Sequence, residues 1–506
     1  MNPSVDAGID ETINEGDTFS RSGSFTDPGA DTWTATVDYG DGLGTQSLSL
    51  TGKNFNLYHV YGDNGDYTVT VKVTDDEGGV GTDTITVTVL NVAPTVDVGA
   101  DATIDEGGTY SSSGTFTDPG TDTWTATVDY GDDAGIQPLT LTGKTFELSH
   151  IYGDNGIYTV SVRVTDDDGA YGEDSAKVTV NNVAPSISSF GPFKIDEGTQ
   201  ITLNASASDP GSDDLTFEWQ LELGPTTSKT YYNDKVGPDP YPSPSGTYPF
   251  QKTDVYNQTY GDNGVYTITM TVTDDYGGVT VATTTITVNN VAPSLGSIVI
   301  TPPNPNNPEF ILPSIHIPNF TAFANDPGSD DLTFKWEWGD GSDDTTIYYN
   351  FRSNPDPYPS PNGTYPFALT DISSHTYSVP GTYIVTLTVE DDDGGINETS
   401  TQITILSAEE ANQAVNNYIQ DLDENNFDRN GDKRKKAYDN MFSAISDMLV
   451  DLEYNGAIED LTNNVRVKSD GSVDGFLKND WIIEHDEQVE VCWKIDALVA
   501  YLKTFL

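Results

Sequence analysis

The sequence predicts a mostly β chain: four tandem antiparallel β-sandwiches followed by a small C-terminal α-helical bundle. Three observations lead there. Short motifs recur at whole-domain spacing: Asn-Val-Ala-Pro starts at Asn91, Asn182 and Asn290, and Asp-Pro-Gly at Asp27, Asp118, Asp209 and Asp326. Runs such as DTITVTV and YTVTVKV put Ile and Val on one face and Thr on the other, the two-residue period of a half-buried strand. Beyond Leu406 that period gives way to helical spacing.

The repeats set the boundaries. Periods of 91 to 117 residues are domains rather than solenoid units. Four units follow, at residues 1–92, 93–183, 184–291 and 292–406, with a helical module at 407–506. Within each, turn signals fall every 8 to 12 residues, as expected of a sandwich of roughly seven strands. One line is written almost identically three times: YGDNGDYTVTVKVTDDEGG from Tyr61, YGDNGIYTVSVRVTDDDGA from Tyr152 and YGDNGVYTITMTVTDDYGG from Tyr260. A looser copy, YSVPGTYIVTLTVEDDDGG, starts at Tyr377. The first three are strands with acidic residues at both ends, and the fourth keeps them at its C-terminal end.

In the helical module, Ser407 and Glu410 form a capping box, and Ala411, Val415, Tyr418 and Leu422 follow at helical spacing. A second helix is predicted from about Arg434 to Leu452, a short one from Ala457 to Asn464 and a last one from about Glu487 to Phe505. In DRNGDKRKKAYD, Asp428, Asn430, Asp432 and Asp439 occupy positions 1, 3, 5 and 12 of an EF-hand-like loop. Lys433 and Lys436 stand at its positions 6 and 9, so an ordinary helix–helix connection is the simpler reading.

The chain of 506 residues carries 80 acidic and 22 basic side chains, a formal charge of −58. All but 21 of the acids and 10 of the bases precede Ala408, leaving −47 on the sandwiches. Such a surface excludes nucleic acid as a partner and favours cations. Cys492 is the single cysteine, so no intrachain disulfide framework exists. No apolar run is long enough to span a membrane. Asn2-Pro-Ser-Val aligns with Ala93-Pro-Thr-Val and Ala184-Pro-Ser-Ile, linkers that leave a preceding repeat. The expectation is therefore a fragment whose secretion signal lies elsewhere.

TFKWEWGDGSDD from Thr333, with HTYSVPGTYIVTLTVEDDDGG from His375, resembles the PKD domain, an immunoglobulin-like β-sandwich of extracellular proteins. Repeats 1 and 2 share it through VDYGDG or VDYGDD and then HVYGDNG or HIYGDNG; repeat 3 reads LELG where the GDG hairpin is expected. The resemblance implies an extracellular role without a catalytic site. NNFDRNGDKRKKAYDNMFSAISDML, with KNDWI from Lys478, resembles the FIMAH-like helical module that closes some secreted archaeal and bacterial proteins.

Loops of a sandwich alternate between two poles. The Asp-Pro-Gly and Asp-Asp-x-Gly-Gly loops share the near pole, where the chain arrives; the Asn/Asp-Glu-Gly and Tyr-Gly-Asp-Asn turns share the far pole. Short proline-stiffened linkers should press the far pole of one repeat on the near pole of the next. Two carboxylates about 4 Å apart repel by roughly 4 kcal/mol at an effective dielectric of 20, so a hard cation is expected between them. Structural Ca²⁺ is the expected cofactor, since it prefers clustered oxygens in loops. PKD domains that bind calcium use the first of these loops, which nominates Asp27 with Asp31, Asp118 with Asp122, Asp209 with Asp213, and Asp326 with Asp330. The second set is Asp75, Asp76, Asp166, Asp167, Asp274, Asp275, Asp391 and Asp392. Asp, Asn and Gly are also what tight turns use, which is the plainer explanation.

Repeats 3 and 4 carry the insertions YYNDKVGPDPYPSPSGTYPF and YYNFRSNPDPYPSPNGTYPF. Their Tyr241, Tyr248, Tyr358 and Tyr365 are expected to pack on their own sandwich or to form an aromatic platform for a glycan or a neighbouring subunit. Glycosylation sequons fall at Asn204, Asn257, Asn319, Asn362 and Asn397.

No P-loop, HExxH, GxSxG or GxGxxG context appears, and carboxylate pairs copied in every repeat do not make one catalytic constellation. The expected protein is non-catalytic: a calcium-stiffened extracellular rod for surface display, adhesion or assembly. Its partners would be a cell-surface glycan, a protein or further copies of itself. The rivals are a substrate-binding region of a larger secreted hydrolase and a self-assembling surface filament or surface layer.

Overall fold

The computed structural model describes residues 1–233, 246–351, 363–471 and 480–506. Sandwich 1 sets the pattern. Its strands are β1 Ser4–Asp6, β2 Glu11–Asn14, β3 Thr18–Thr26, β4 Trp33–Asp38, β5 Gln46–Leu48, β6 Leu50–Thr51, β7 Asn54–Val60, β8 Gly65–Asp75 and β9 Val80–Leu90. They form two sheets, β1-β3-β7-β6 and β2-β9-β8-β4-β5. Alternation decides what is inside: Val69, Val71 and Val73 of β8 are fully buried, as are Phe19, Leu57 and Val87 from both sheets. Each such side chain contributes about 1.5–3 kcal/mol on leaving water.

One pairing departs from the all-antiparallel expectation. The first strand changes sheets between Asp6 and Glu11, and β2 then runs parallel to β9, with Glu11 opposite Val87. The crossover is held by Ala7 N–H, which donates to Asp83 Oδ2 at 2.7 Å. Sandwiches 2 and 3 repeat this arrangement, pairing Ala102–Asp105 with Tyr171–Asn181 and Phe193–Asp196 with Val279–Asn289 in parallel.

The histidines shared by three repeats are packing residues. His59 stacks on Tyr39 with centroids 4.4 Å apart and meets Asp41 at 2.8 Å. His150 with Asp132 and His375 with Asp340 repeat the contact at 2.6 and 2.8 Å. Sandwich 3 lacks this unit. There Trp219 Nε1 donates to the buried Asp254 at 2.8 Å, and in sandwich 4 Trp336 does the same to Asp371 at 2.6 Å.

Sandwich 4 differs at its far pole. Strand Val299–Thr301 pairs with Asn319–Asp326 in the other sheet, and residues 302–318 form a loop where sandwiches 1 to 3 place a crossover strand and an acidic turn. Phe310 and Leu312 of this loop enter the core of the helical module.

That module contains α1 Ala408–Asp421, α2 Gly431–Val450, α3 Tyr454–Asp460 and α4 His485–Leu502. The capping box forms as read: Glu410 N–H donates to Ser407 Oγ, and Ser407 N–H donates to Glu410 Oε2 at 2.7 Å. Ala411, Val415 and Ile419 of α1 face Phe442, Ile445, Ile495 and Leu498. The third helix runs on through a π turn, Leu461–Val465, and the last ends in a short 3₁₀ turn.

The EF-hand-like reading does not survive. Helix α2 begins at Gly431, so Asp432 and Asp439 are helical rather than loop residues. Asn430 caps that helix, accepting from Lys433 N–H at 3.2 Å. Arg434 holds Asp428 through two N–H donors at 3.0 and 3.1 Å, and Asp439 accepts from Asn416 at 2.9 Å. Asp428, Asn430 and Asp439 already serve neighbours, and Asp432 stands in the first turn of α2, where an acid suits the helix start.

Candidate metal centres at the sandwich junctions

Sandwich 1 ends at Leu90 and the next begins at Thr95; the later linkers, between Asn181 and Ser186 and between Asn289 and Ser294, are as short. Each junction is clasped by the same backbone contact. Thr121 N–H donates to Gly62 O at 2.7 Å, Ser212 N–H to Gly153 O at 2.7 Å and Ser329 N–H to Gly261 O at 2.6 Å. The poles touch so closely that a Cβ on Gly107, whose φ is +68°, would lie 2.6 Å from Pro210 O.

This contact brings the acids together. Glu15 of sandwich 1 lies with Asp118 and Asp122 of sandwich 2, carboxylate oxygens within 4.8 Å of one another. Glu106 and Asp154 meet Asp213 across the second junction, and Glu197 meets Asp326 and Asp330 across the third, within the same distance. Asp63, Asp122 and Asp168 form a further group at the first junction.

The glutamates are fixed by the linkers. One oxygen of Glu15, Glu106 and Glu197 accepts the backbone N–H of Val92, Val183 and Val291, at 2.8, 2.6 and 2.6 Å. The other, Oε2, is buried in all three with no hydrogen-bond donor among the described residues. Both oxygens of Asp213 and the Oδ2 atoms of Asp122, Asp209, Asp326, Asp330 and Asp391 are in the same condition. Asn91, Asn182 and Asn290 add amide oxygens. Each donates its Nδ2 to an aspartate of the following sandwich (Asp166, Asp274 or Asp391) and leaves a buried Oδ1 unbonded.

Burial, reinforced by neighbouring carboxylates, pushes these acids up. Glu106 and Glu197 rise to about 8, Asp213 to about 9, Asp330 to about 10, and Asp209 and Asp326 to about 7. At the more open first junction Asp122 reaches about 6. Unpaired buried charge is expensive, and a polycation or protons must compensate it. Carboxylate and amide oxygens without a thiolate or imidazole match a hard cation such as Ca²⁺.

The second nominated set also holds its own loops in shape. Asp75, Asp166, Asp274 and Asp391 each close their own loop, accepting the N–H of Gly79, Ala170, Gly278 or Gly395 through Oδ1. Asp167, Asp275 and Asp392 accept the N–H of Thr123, Asp214 and Asp331, and Asp76 accepts from Thr32. The near pole of sandwich 1 gathers Asp27, Asp31 and Asp75 within 4.8 Å, with Asp27 bonded to Trp33 Nε1 at 2.9 Å.

Sequence reasoning nominated the near-pole aspartates and left out Glu15, Glu106, Glu197 and the linker asparagines. Their signal was present: each sits in a turn or linker copied with the repeat.

Tyr248 and Tyr365, 42% and 41% exposed, rest on the neighbouring sandwich rather than on their own. Tyr248 lies on Gly153 of sandwich 2, and Tyr365 on Gly261 of sandwich 3, so each insertion reaches back across a junction. Only glycine leaves room, since a Cβ at either position would overlap the ring. Tyr241, Tyr358 and Asn362 lie outside the described residues. Asn204, Asn257, Asn319 and Asn397 are exposed on strands.

The model of the PKD domain family matches residues 1–89, 91–180 and 311–405. The chain therefore belongs to the PKD domain family. Sandwich 3, without the GDG hairpin, falls outside the matched ranges. No curated protein matches the chain. Among solved structures, a tetra-tandem repeat in the extending region of a large adhesion protein is similar at 16% identity. The match covers 80% of this chain and 98% of that one, with a TM-score of 0.34. The PKD domain of an M14-like peptidase from a Thermoplasmatales archaeon is 22% identical, covering 24% of this chain and all of its own, with a TM-score of 0.16. Cadherin domains 1–4 of protocadherin gamma B7 align at 12% identity over 74% of this chain and 92% of that one, TM-score 0.27. Among the described residues no helix is long and apolar enough to cross a membrane.

Proposed function

We propose that the chain is a non-catalytic extracellular rod, stiffened by Ca²⁺ at its three sandwich junctions, that displays or spaces material at a cell surface. The observation that carries this reading is the row of buried carboxylate oxygens from consecutive sandwiches that face one another without donors. Glu106, Asp209, Asp213 and Asn182 would hold the ion at the second junction, and Glu197, Asp326, Asp330 and Asn290 at the third. Glu15, Asp118, Asp122 and Asn91 would do so at the first. Bound metal supplies charge compensation across the junction and so fixes the angle between neighbours. The exposed sequons and the strongly acidic surface fit an extracellular setting, and a glycan, a protein or another copy of the chain would be the partner.

Small-angle scattering of the whole chain in calcium and in chelator tests it. Calcium should lengthen the particle and narrow the spread of shapes that fit the data. Identical scattering, with an identical thermal melt, would remove calcium from the account.

A further inference from the structure

Where the helical module meets sandwich 4, three side chains form a group that neither the fold nor the junctions use. Lys494 and Glu490 stand four residues apart on one face of α4. Both reach Asn307 in the loop 302–318: Lys494 Nζ contacts Asn307 Oδ1, and Asn307 Nδ2 contacts Glu490 Oε2. Lys494 is 3% exposed and Asn307 8%. The Tyr418 ring covers the amine, with its centroid 3.6 Å from Nζ. Asn304 and Asn306 hold the Glu490 carboxylate in place through their Nδ2 atoms at 3.0 and 2.7 Å.

One buried carboxamide thus carries an amine on its oxygen side and a carboxylate on its nitrogen side. Acyl transfer needs this set: a nucleophile, an electrophilic carbonyl carbon and a group that moves protons to the departing nitrogen. We propose that Lys494 and Asn307 become joined by an intramolecular isopeptide bond, with Glu490 as the catalytic proton shuttle.

The neutral amine attacks Asn307 Cγ, forming the Nζ–Cγ bond and opening the carbonyl to a tetrahedral centre. Glu490 accepts a proton from Nζ and delivers one to Nδ2. The Cγ–Nδ2 bond then breaks, the carbonyl re-forms and ammonia leaves. Amine plus carboxamide gives secondary amide plus ammonia, so neither oxidant nor cofactor enters.

Burial lowers the Lys494 amine to about 8, against the opposing pull of Glu490 and Glu487, which leaves part of it neutral near pH 7. Fixed neighbours supply the remaining advantage, since well-oriented intramolecular reactions reach effective molarities on the order of 10⁵–10⁸ M. The buried setting also limits competing attack by water.

The test is the intact mass of the denatured full-length chain. The wild type should weigh less than its sequence by one ammonia, and a protease digest should yield one branched peptide joining the segments around Asn307 and Lys494. Lys494→Ala, Asn307→Ala and Glu490→Ala should each restore the full sequence mass. A wild-type mass equal to the sequence, or a branch at other residues, overturns the bond whether or not the variants fold. A branched Glu490→Ala chain overturns the shuttle role.

Discussion

Replacing Asp213 by Asn should stabilise the metal-free chain and lose most of that advantage in calcium. In the folded, metal-free chain burial and the surrounding acids raise Asp213 from 3.8 to about 9, so at pH 7 it stays protonated, whereas in the unfolded chain it ionises. Folding must therefore pick up a proton against the ordinary carboxyl equilibrium, at roughly 1.36 kcal/mol per pH unit, or up to about 4 kcal/mol at pH 7. Asparagine carries no such penalty. In chelator the variant should melt higher, by several degrees, since 1 kcal/mol moves a domain of this size by about 4–8 °C. With calcium at 100 times its dissociation constant the wild type gains about 2.7 kcal/mol from binding to the folded state. The variant has lost an oxygen from the ligand set and should gain much less, so calcium should narrow the gap between the two melts by up to about 2.7 kcal/mol. Scanning calorimetry of both chains in both buffers reads this directly. If Asp213→Asn melts below the wild type by the same amount with and without calcium, the junction is an ordinary hydrogen-bonded contact and the reasoning fails.

Other outcomes follow from the same geometry. In chelator the melting temperature should fall as pH rises from about 4 to about 8. Glu106, Glu197, Asp209 and Asp326 have raised folded-state values, so the stability they lend below the ordinary carboxyl range is lost as pH climbs to about 7–8. Calcium should flatten that slope, and parallel slopes in the two buffers would count against a shared site. Tyr248→Ala should loosen the second junction alone, seen as wider bending between sandwiches 2 and 3 by scattering in calcium; an unchanged profile would make the ring a bystander. Trp219→Phe removes the donor to Asp254 Oδ2, leaving Tyr231 on Oδ1, and should destabilise sandwich 3 by about 1–3 kcal/mol, measured by denaturant unfolding.

Much of this was legible in the residues because the chain repeats itself. The period-two runs specify which face of β8 is buried, and the copied turns specify that acids stand at both of its ends. That consecutive poles touch was also readable, from linkers of four residues with a proline. Less accessible was the choice among acids. Asp75 and Asp213 look alike in sequence, but one closes its own loop while the other points back at the preceding sandwich, and only the path of the backbone separates them. The reach of Tyr248 to Gly153 was hidden for the same reason: the two lie 95 residues apart and no local pattern links them. The EF-hand-like spacing was rightly set below an ordinary helix–helix connection, since Asn430 and Asp432 are equally good helix starters and α2 claimed them.

The exchange of an acidic turn for the loop 302–318 at the last sandwich has a bearing on how such a molecule changes size. Sandwiches 1, 2 and 3 offer the same lower face, with Gly62, Gly153 and Gly261 in equivalent seats, so excising residues 93–183 would set Glu15 against Asp209 and Asp213 and leave a working joint. Length is thus adjustable in whole units by simple recombination of the gene. The fourth unit is excluded from that shuffling, because its underside is tailored to the helices that follow.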